Sequence, residues 1–167
     1  MDQAVAIEEI YATAARRVDP SVGYAGELTL QEAWSLLADD ALARLVDVRT
    51  QAEWSYVGVP DLSAIGREPI FAQWLLAPAM SENPNFFDEV SAQGLAPDMA
   101  AIIMCRTVNR SPKAARAMTA KGFPRCYFLL EGFEGSLDDE KHRGLRDGWK
   151  AADRKSTRLN SSHTSIS

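Results

Sequence analysis

The sequence predicts an α/β fold in which an open parallel sheet is flanked by helices on both faces, with an extra N-terminal helix. Short and nearly continuous apolar segments, typical of strands covered on both faces, occur at 43–48, 100–104 and 126–130. A helical segment separates the last two, which implies parallel strands joined by a right-handed crossover. With 167 residues, 46% of them apolar, the chain can bury one core without disulfides.

The first element is an amphipathic helix. Apolar side chains recur at helical spacing from residue 4 to residue 18, and Pro20 ends the pattern. We expect this helix to pack onto the domain as an extension over residues 1–23.

Two capping boxes mark the next helices. Thr29 with Glu32, and Thr50 with Glu53, place a hydroxyl and a carboxylate three residues apart in front of apolar positions. Helices are therefore expected on either side of the strand at 43–48, and the second of them is short.

Residues 61–82 carry a weaker pattern. They predict one strand over 70–76 with Trp74 pointing inward. Asn83 and Pro84 then have the residue types of an N-cap and a first helical position, and Gly94 has that of a C-terminal cap.

The second half predicts a strand, turn, helix, strand unit. After the strand at 100–104, Ser111 and Pro112 begin a helix that Gly122 ends before the strand at 126–130. A last helix is expected over 141–152. The polar segment 153–167 has no apolar period, so we expect it to be disordered and interpret it as non-native sequence of the kind left by adapter read-through.

Charge and composition exclude several classes of function. The chain has 18 basic and 23 acidic residues, a net charge of -5, which argues against a nucleic-acid surface and a basic membrane anchor. Its two cysteines and two histidines lack the spacing of a zinc site, so neither a metal nor another cofactor is expected. The N-terminal residues do not resemble a signal peptide, and we expect a cytoplasmic protein.

Cys105 is the candidate nucleophile. It directly follows a predicted buried strand, and ligands of open parallel sheets bind outside the carboxyl ends of the strands. Backbone donors of the following loop, the start of the next helix, and the guanidinium groups of Arg106 and Arg110 would all favour a thiolate. Cys126 begins the next strand at the opposite end of the sheet, beyond disulfide reach, and is interpreted as core.

The segment from Cys105 to Ser111, Cys-Arg-Thr-Val-Asn-Arg-Ser, resembles the rhodanese active-site loop, which is usually Cys-Arg-Ser-Gly-x-Arg-Ser. Three further segments resemble the same family: Leu-Val-Asp-Val-Arg at 45–49, Gly-Phe-Pro at 122–124 and Leu-Glu-Gly-Phe-Glu-Gly at 130–135. The resemblance implies a rhodanese-like domain over residues 24–152.

The resemblance also implies a mechanism. Cys105 would take sulfane sulfur from a small anionic donor such as thiosulfate and pass the persulfide sulfur to a thiol, to a cyanide-like acceptor or to a protein. The loop residues would bind the substrate, with two arginines to neutralise the donor, and a strand end would brace the loop. The loop residues are Arg106, Thr107, Val108, Asn109 and Arg110, and the bracing residues are Asp47 and Arg49.

Four other interpretations stay open. Val108 stands where the family usually has glycine, which favours a non-catalytic rhodanese-like module that binds a partner. A phosphatase is the next alternative, because dual-specificity phosphatases share the rhodanese fold. Their loop has five residues between cysteine and arginine, whereas four separate Cys105 from Arg110, so the loop length argues against this function. A cysteine that ends a strand can also be a small core residue, and Asp47 can merely cap a turn.

Overall fold

The computed structural model describes residues 3–105 and 111–130, which form a five-stranded parallel sheet, a two-stranded hairpin and helices on both faces of the sheet. The helices are α1 (Gln3–Arg16), α2 (Leu30–Asp39), α3 (Gln51–Tyr56), α4 (Phe86–Ala92) and α5 (Ser111–Ala120). The strands are β1 (Gly26–Leu28), β2 (Ala43–Asp47), β3 (Ile70–Phe71), β4 (Leu75–Leu76), β5 (Ser81–Glu82), β6 (Ala100–Met104) and β7 (Cys126–Leu129).

The strand order of the main sheet is β1-β7-β6-β2-β3, and every neighbouring pair is parallel. β6 lies at the centre, and all five of its residues are buried. It pairs with β2 from Ala43 opposite Ala100 to Asp47 opposite Met104. The predicted open parallel sheet is therefore confirmed, and the strand that precedes Cys105 is its middle strand.

Two apolar clusters cover the two faces of the sheet. Successive side chains of a strand point to opposite faces, so Ile102 and Met104 belong to one cluster and Ile103 and Cys105 to the other. The first cluster includes side chains of α1 and α2, and the second includes side chains of α4 and α5. Helices on both faces, including the extra N-terminal one, are thus confirmed.

The two predicted capping boxes are present. The Thr29 hydroxyl accepts a hydrogen bond from the Glu32 amide at 3.2 Å, and the Glu32 carboxylate accepts one from the Thr29 amide at 3.0 Å. Thr50 and Glu53 exchange the same two bonds at the start of α3. Both helices begin where the sequence predicts because each box uses only neighbouring residues.

Three details of the prediction are wrong. The strand expected over 70–76 is split into β3 and β4, although Trp74 is buried as predicted. α4 begins at Phe86, because the Asn83 side chain accepts from the Asn85 amide in a turn that precedes the helix. The sequence interpretation also missed β1, which pairs with β7.

The N-terminal helix is joined to the rest of the fold at its carboxyl end. A Cβ atom on Gly26 would lie 2.6 Å from the backbone carbonyl of Ala14, so only glycine allows α1 to approach β1 this closely. Arg17 extends the contact through a salt bridge to Glu32, at 2.6 Å.

The predicted last helix at 141–152 and the tail at 153–167 lie outside the described residues.

No helix within the described ranges is both long enough and apolar enough to cross a membrane.

Candidate functional site

Cys105 is the first residue after the central strand of the sheet. Its side chain is fully buried and belongs to the apolar cluster that also contains Val48, Ala114 and Met118. The Val48 amide donates to the Met104 carbonyl oxygen at 2.9 Å, so the pairing of β2 with β6 extends to the residue before the cysteine. The structure thus places Cys105 at the carboxyl end of a parallel strand, where ligands of such sheets bind.

A buried ion pair lies at the end of the neighbouring strand. The Arg49 guanidinium donates through Nε to Asp47 Oδ1 at 2.9 Å and through Nη2 to Asp47 Oδ2 at 2.7 Å, and both side chains are fully buried. The Arg49 amide also donates to Asp47 Oδ1, at 3.1 Å. A bidentate pair of this kind adds both energy and geometric specificity to the charge-assisted hydrogen bonds.

The same guanidinium holds a second part of the chain. Arg49 Nη2 donates to the Gly58 carbonyl oxygen at 2.8 Å, which joins the end of β2 to the segment that follows α3. The sequence interpretation did not find this contact, because no local pattern connects Arg49 with Gly58. The pair therefore fixes the path of the chain at the carboxyl edge of the sheet.

Asp47 and Cys105 lie on opposite faces of the sheet. Asp47 is the register partner of Met104, and register partners point to the same face, whereas Cys105 points to the other. The structure thus brings Asp47 and Arg49 together, and their described hydrogen bonds join the end of β2 to Gly58. The expected bracing of the loop after Cys105 stays a prediction.

The predicted substrate-binding residues Arg106, Thr107, Val108, Asn109 and Arg110 lie outside the described residues. The chain is described again from Ser111, where α5 begins as the sequence predicts. Ala114 and Ala115 on this helix contribute to the cluster around Cys105.

A hairpin adjoins the site from the edge of the sheet. The Trp74 amide donates to the Val48 carbonyl oxygen at 3.2 Å, and the Trp74 side chain belongs to the cluster that contains Cys105. β4 and β5 continue from Trp74, and the Asn83 amide returns the chain by donating to the Trp74 carbonyl oxygen at 3.0 Å. This neighbour of the candidate site was not predicted from the sequence.

Cys126 lies at the other end of the sheet, as predicted. It begins β7 and pairs with Ala101, four residues before Cys105 and so about 13 Å away along the strand direction. Its thiol donates to the Phe123 carbonyl oxygen at 3.1 Å, and burial raises its pKa to about 12. The interpretation of Cys126 as a core residue is confirmed.

Comparison with known proteins identifies the family. A family model described as the rhodanese-like domain matches residues 29–138. The chain belongs to the rhodanese-like family. The resemblance that the sequence indicated is therefore confirmed, and this family includes sulfurtransferases.

Two individual proteins match most of this chain. The uncharacterized protein RC0915 of Rickettsia conorii is 36% identical over 121 residues, which cover 71% of this chain and 86% of that protein. The crystal structure of Rv0390 from M. tuberculosis is 45% identical, covers 77% of this chain and 94% of that chain, and superimposes with a TM-score of 0.68.

A more distant structure shares the fold alone. Wild-type EanB is 17% identical and superimposes with a TM-score of 0.52. The match covers 82% of this chain and 28% of that one.

Proposed function

We propose that this chain is a sulfurtransferase that carries sulfane sulfur as a persulfide on Cys105. The observation that supports the proposal is the position of Cys105, directly after the central parallel strand of a rhodanese-like domain. A ligand site is expected at this edge of the sheet, and a thiol is the side chain that forms a persulfide. We further propose that the protein acts in the cytoplasm, without a metal or other cofactor.

The proposed reaction has two displacement steps. The Cys105 thiolate attacks the outer sulfur of thiosulfate, the S–S bond of the donor breaks, and sulfite leaves with the bonding electron pair. An acceptor nucleophile then attacks the outer sulfur of the persulfide and regenerates the thiolate. Cyanide would leave as thiocyanate, and a thiol of a small molecule or protein would leave as a persulfide.

Arg106 and Arg110 are proposed to neutralise the anionic donor, because guanidinium groups bind oxyanions with paired hydrogen bonds. Thr107, Val108 and Asn109 would supply backbone donors around the sulfur. Asp47 and Arg49 would act indirectly, through the position of the end of β2 beside Met104.

Thiocyanate production from thiosulfate and cyanide tests the proposal. Wild-type protein should turn over, and Cys105→Ser should be inactive because a hydroxyl cannot carry the transferred sulfur. Cys126→Ala is the matched control and should retain turnover, because that thiol lies at the opposite end of the sheet. An inactive wild-type protein, or an active Cys105→Ser variant, would contradict the proposal.

A second candidate function is a non-catalytic module that binds a partner. Two observations favour it: Cys105 is fully buried, and Val108 replaces the glycine usual in the family loop. Val108→Gly separates the two functions. If the loop requires a positive φ at this position, glycine should raise turnover about tenfold or more, since a β-branched residue in that conformation costs on the order of 1–3 kcal/mol. A measurable wild-type rate that Val108→Gly leaves unchanged would favour the catalytic assignment.

A further inference from the structure

We infer that the side chain of Gln93 closes the outer edge of the sheet and keeps a second copy of this chain from adding its own β3 strand there. The inference does not depend on the proposed sulfurtransferase function. It is carried by the direction of the backbone groups of β3, by the hydrogen bonds that these groups make, and by the symmetry of the edge that Gln93 covers.

β3 is an edge strand. It pairs with β2 on one side and is the last strand of the sheet within the described part of the chain. The Ala72 amide donates to the Asp47 carbonyl oxygen at 3.1 Å, and the Trp74 amide donates to the Val48 carbonyl oxygen at 3.2 Å. Because successive residues of a strand direct their backbone groups to opposite edges, the alternate positions 69, 71 and 73 face outward.

An added strand needs outward backbone groups that are free. A row of unpaired N–H and C=O groups at a sheet edge is a template for another strand. Pro69 has no N–H group to offer, and the Gln73 carbonyl oxygen accepts from the Asn83 side-chain amide at 2.9 Å. Phe71, between them, is therefore the outward position at which an incoming strand needs both a donor and an acceptor.

Gln93 binds both backbone groups of Phe71. Its Oε1 accepts from the Phe71 amide at 3.0 Å, and its Nε2 donates to the Phe71 carbonyl oxygen at 2.8 Å. A side-chain amide carries an acceptor and a donor side by side, so it presents the same pair of groups as the backbone of a neighbouring strand. The Gln93 side chain thus takes the place of a strand partner.

The surroundings of Gln93 hold its side chain in this position. Gln93 directly follows α4, and its Nε2 also donates to the Glu89 carbonyl oxygen at 3.2 Å. Its own carbonyl oxygen accepts from Arg44 of β2 at 3.4 Å. Gln93 is nevertheless exposed, so its side chain can be replaced without disturbing the core.

The edge under Gln93 is self-complementary. In an antiparallel pair, two residues that lie directly opposite each other can exchange both of their N–H···O bonds. A twofold axis beside Phe71 would place this residue opposite Phe71 of a second copy, and the two would exchange these bonds. The groups that Gln93 binds are therefore sufficient for pairing between two identical chains.

Gln93→Ala tests the inference. At low protein concentration, hydrogen exchange of the Phe71 amide should be about tenfold faster than in wild-type protein, because the amide loses its acceptor. Over a concentration series, sedimentation velocity should give an association constant about tenfold or more above that of wild-type protein, because no side chain has to be displaced. The Phe71 amide should regain its protection in the dimer.

Two further variants serve as controls. Gln93→Glu keeps an acceptor for the Phe71 amide and adds a like charge to each edge, so its exchange rate and association constant should stay close to those of wild-type protein. Ser91→Ala changes an exposed residue in the last turn of α4 and should also match wild-type protein.

Three results for Gln93→Ala would overturn the inference: an unchanged exchange rate of the Phe71 amide, an unchanged association constant, or a dimer in which this amide stays unprotected. A Gln93→Glu variant that behaves like Gln93→Ala would overturn it as well.

Discussion

The two ends of the parallel sheet each contain a buried cysteine, and their surroundings differ. Cys126, at the amino end of β7, donates to the Phe123 carbonyl oxygen, and burial raises its pKa to about 12. Cys105 follows the carboxyl end of β6, beside a strand that ends in the Asp47–Arg49 ion pair. Both thiols are buried, so burial alone does not separate them, and the proposed role of Cys105 rests on its position at the carboxyl end of the sheet, where ligands of parallel sheets bind.

The largest expected difference concerns the reactivity of Cys126. In native protein at pH 8, we expect iodoacetamide to alkylate it about a thousandfold or more slowly than an ordinary thiol of pKa about 8.5, because little of it is thiolate. Peptide mapping with and without urea measures this difference. Equal labelling of Cys126 in folded and unfolded protein would show that the amino end of the sheet does not protect its thiol.

The same raised pKa has a consequence for stability. The folded state favours the neutral thiol of Cys126, whereas the unfolded chain can ionise it. The contribution of this thiol to the free energy of unfolding is therefore fully present below the ordinary thiol pKa and is lost as the pH rises towards about 12.

At the carboxyl end, we expect the largest loss of stability from Asp47→Ala. It leaves the fully buried Arg49 without its carboxylate, and breaking a buried pair in this way costs about 3–5 kcal/mol. Urea denaturation measures the loss. Replacing both residues, with Asp47→Leu and Arg49→Met, should recover much of it, because no buried charge remains.

The exposed pair of Arg16 with Glu9 supplies the control for this prediction. Glu9→Ala should change the free energy of unfolding much less, because water already solvates both side chains. If Asp47→Ala lowered the free energy of unfolding as little as Glu9→Ala, the buried pair would not be what stabilises the carboxyl end of the sheet.

A smaller effect is expected where α1 meets the sheet. In Gly26→Ala the new Cβ meets the Ala14 carbonyl group at 2.6 Å, so α1 must shift, at a cost of about 1–3 kcal/mol. The thermal midpoint should fall, and proteolysis within α1 should accelerate. Cyanide turnover should persist, since the change lies in a strand two positions from β6. A variant with the wild-type midpoint would contradict the close packing.

Elements that depend on neighbouring residues were predicted from the sequence. Both capping boxes use residues three positions apart, and Gly94 and Gly122 adopt the positive φ expected of glycines that follow a helix. The apolar run of β6 is long enough to indicate a central strand, and it placed Cys105 correctly at its end.

Elements that depend on distant residues were not predicted. β1 has only three residues and becomes a strand through its pairing with β7, in which Gly26 lies opposite Tyr127, far away in the sequence. Asn83 has the residue type of a helix cap, but its hydrogen bonds go to Gln73, Glu89 and the turn before α4. The Arg49–Gly58 contact likewise follows from the fold and has no local pattern.

Localisation of a transferred sulfur tests the central claim most directly. Protein incubated with thiosulfate and freed of excess donor should gain one sulfur atom by intact mass. Peptide mapping should place that atom on Cys105 and not on Cys126, and cyanide should remove it as one equivalent of thiocyanate. A sulfur atom found on Cys126, or none on either cysteine, would contradict the account.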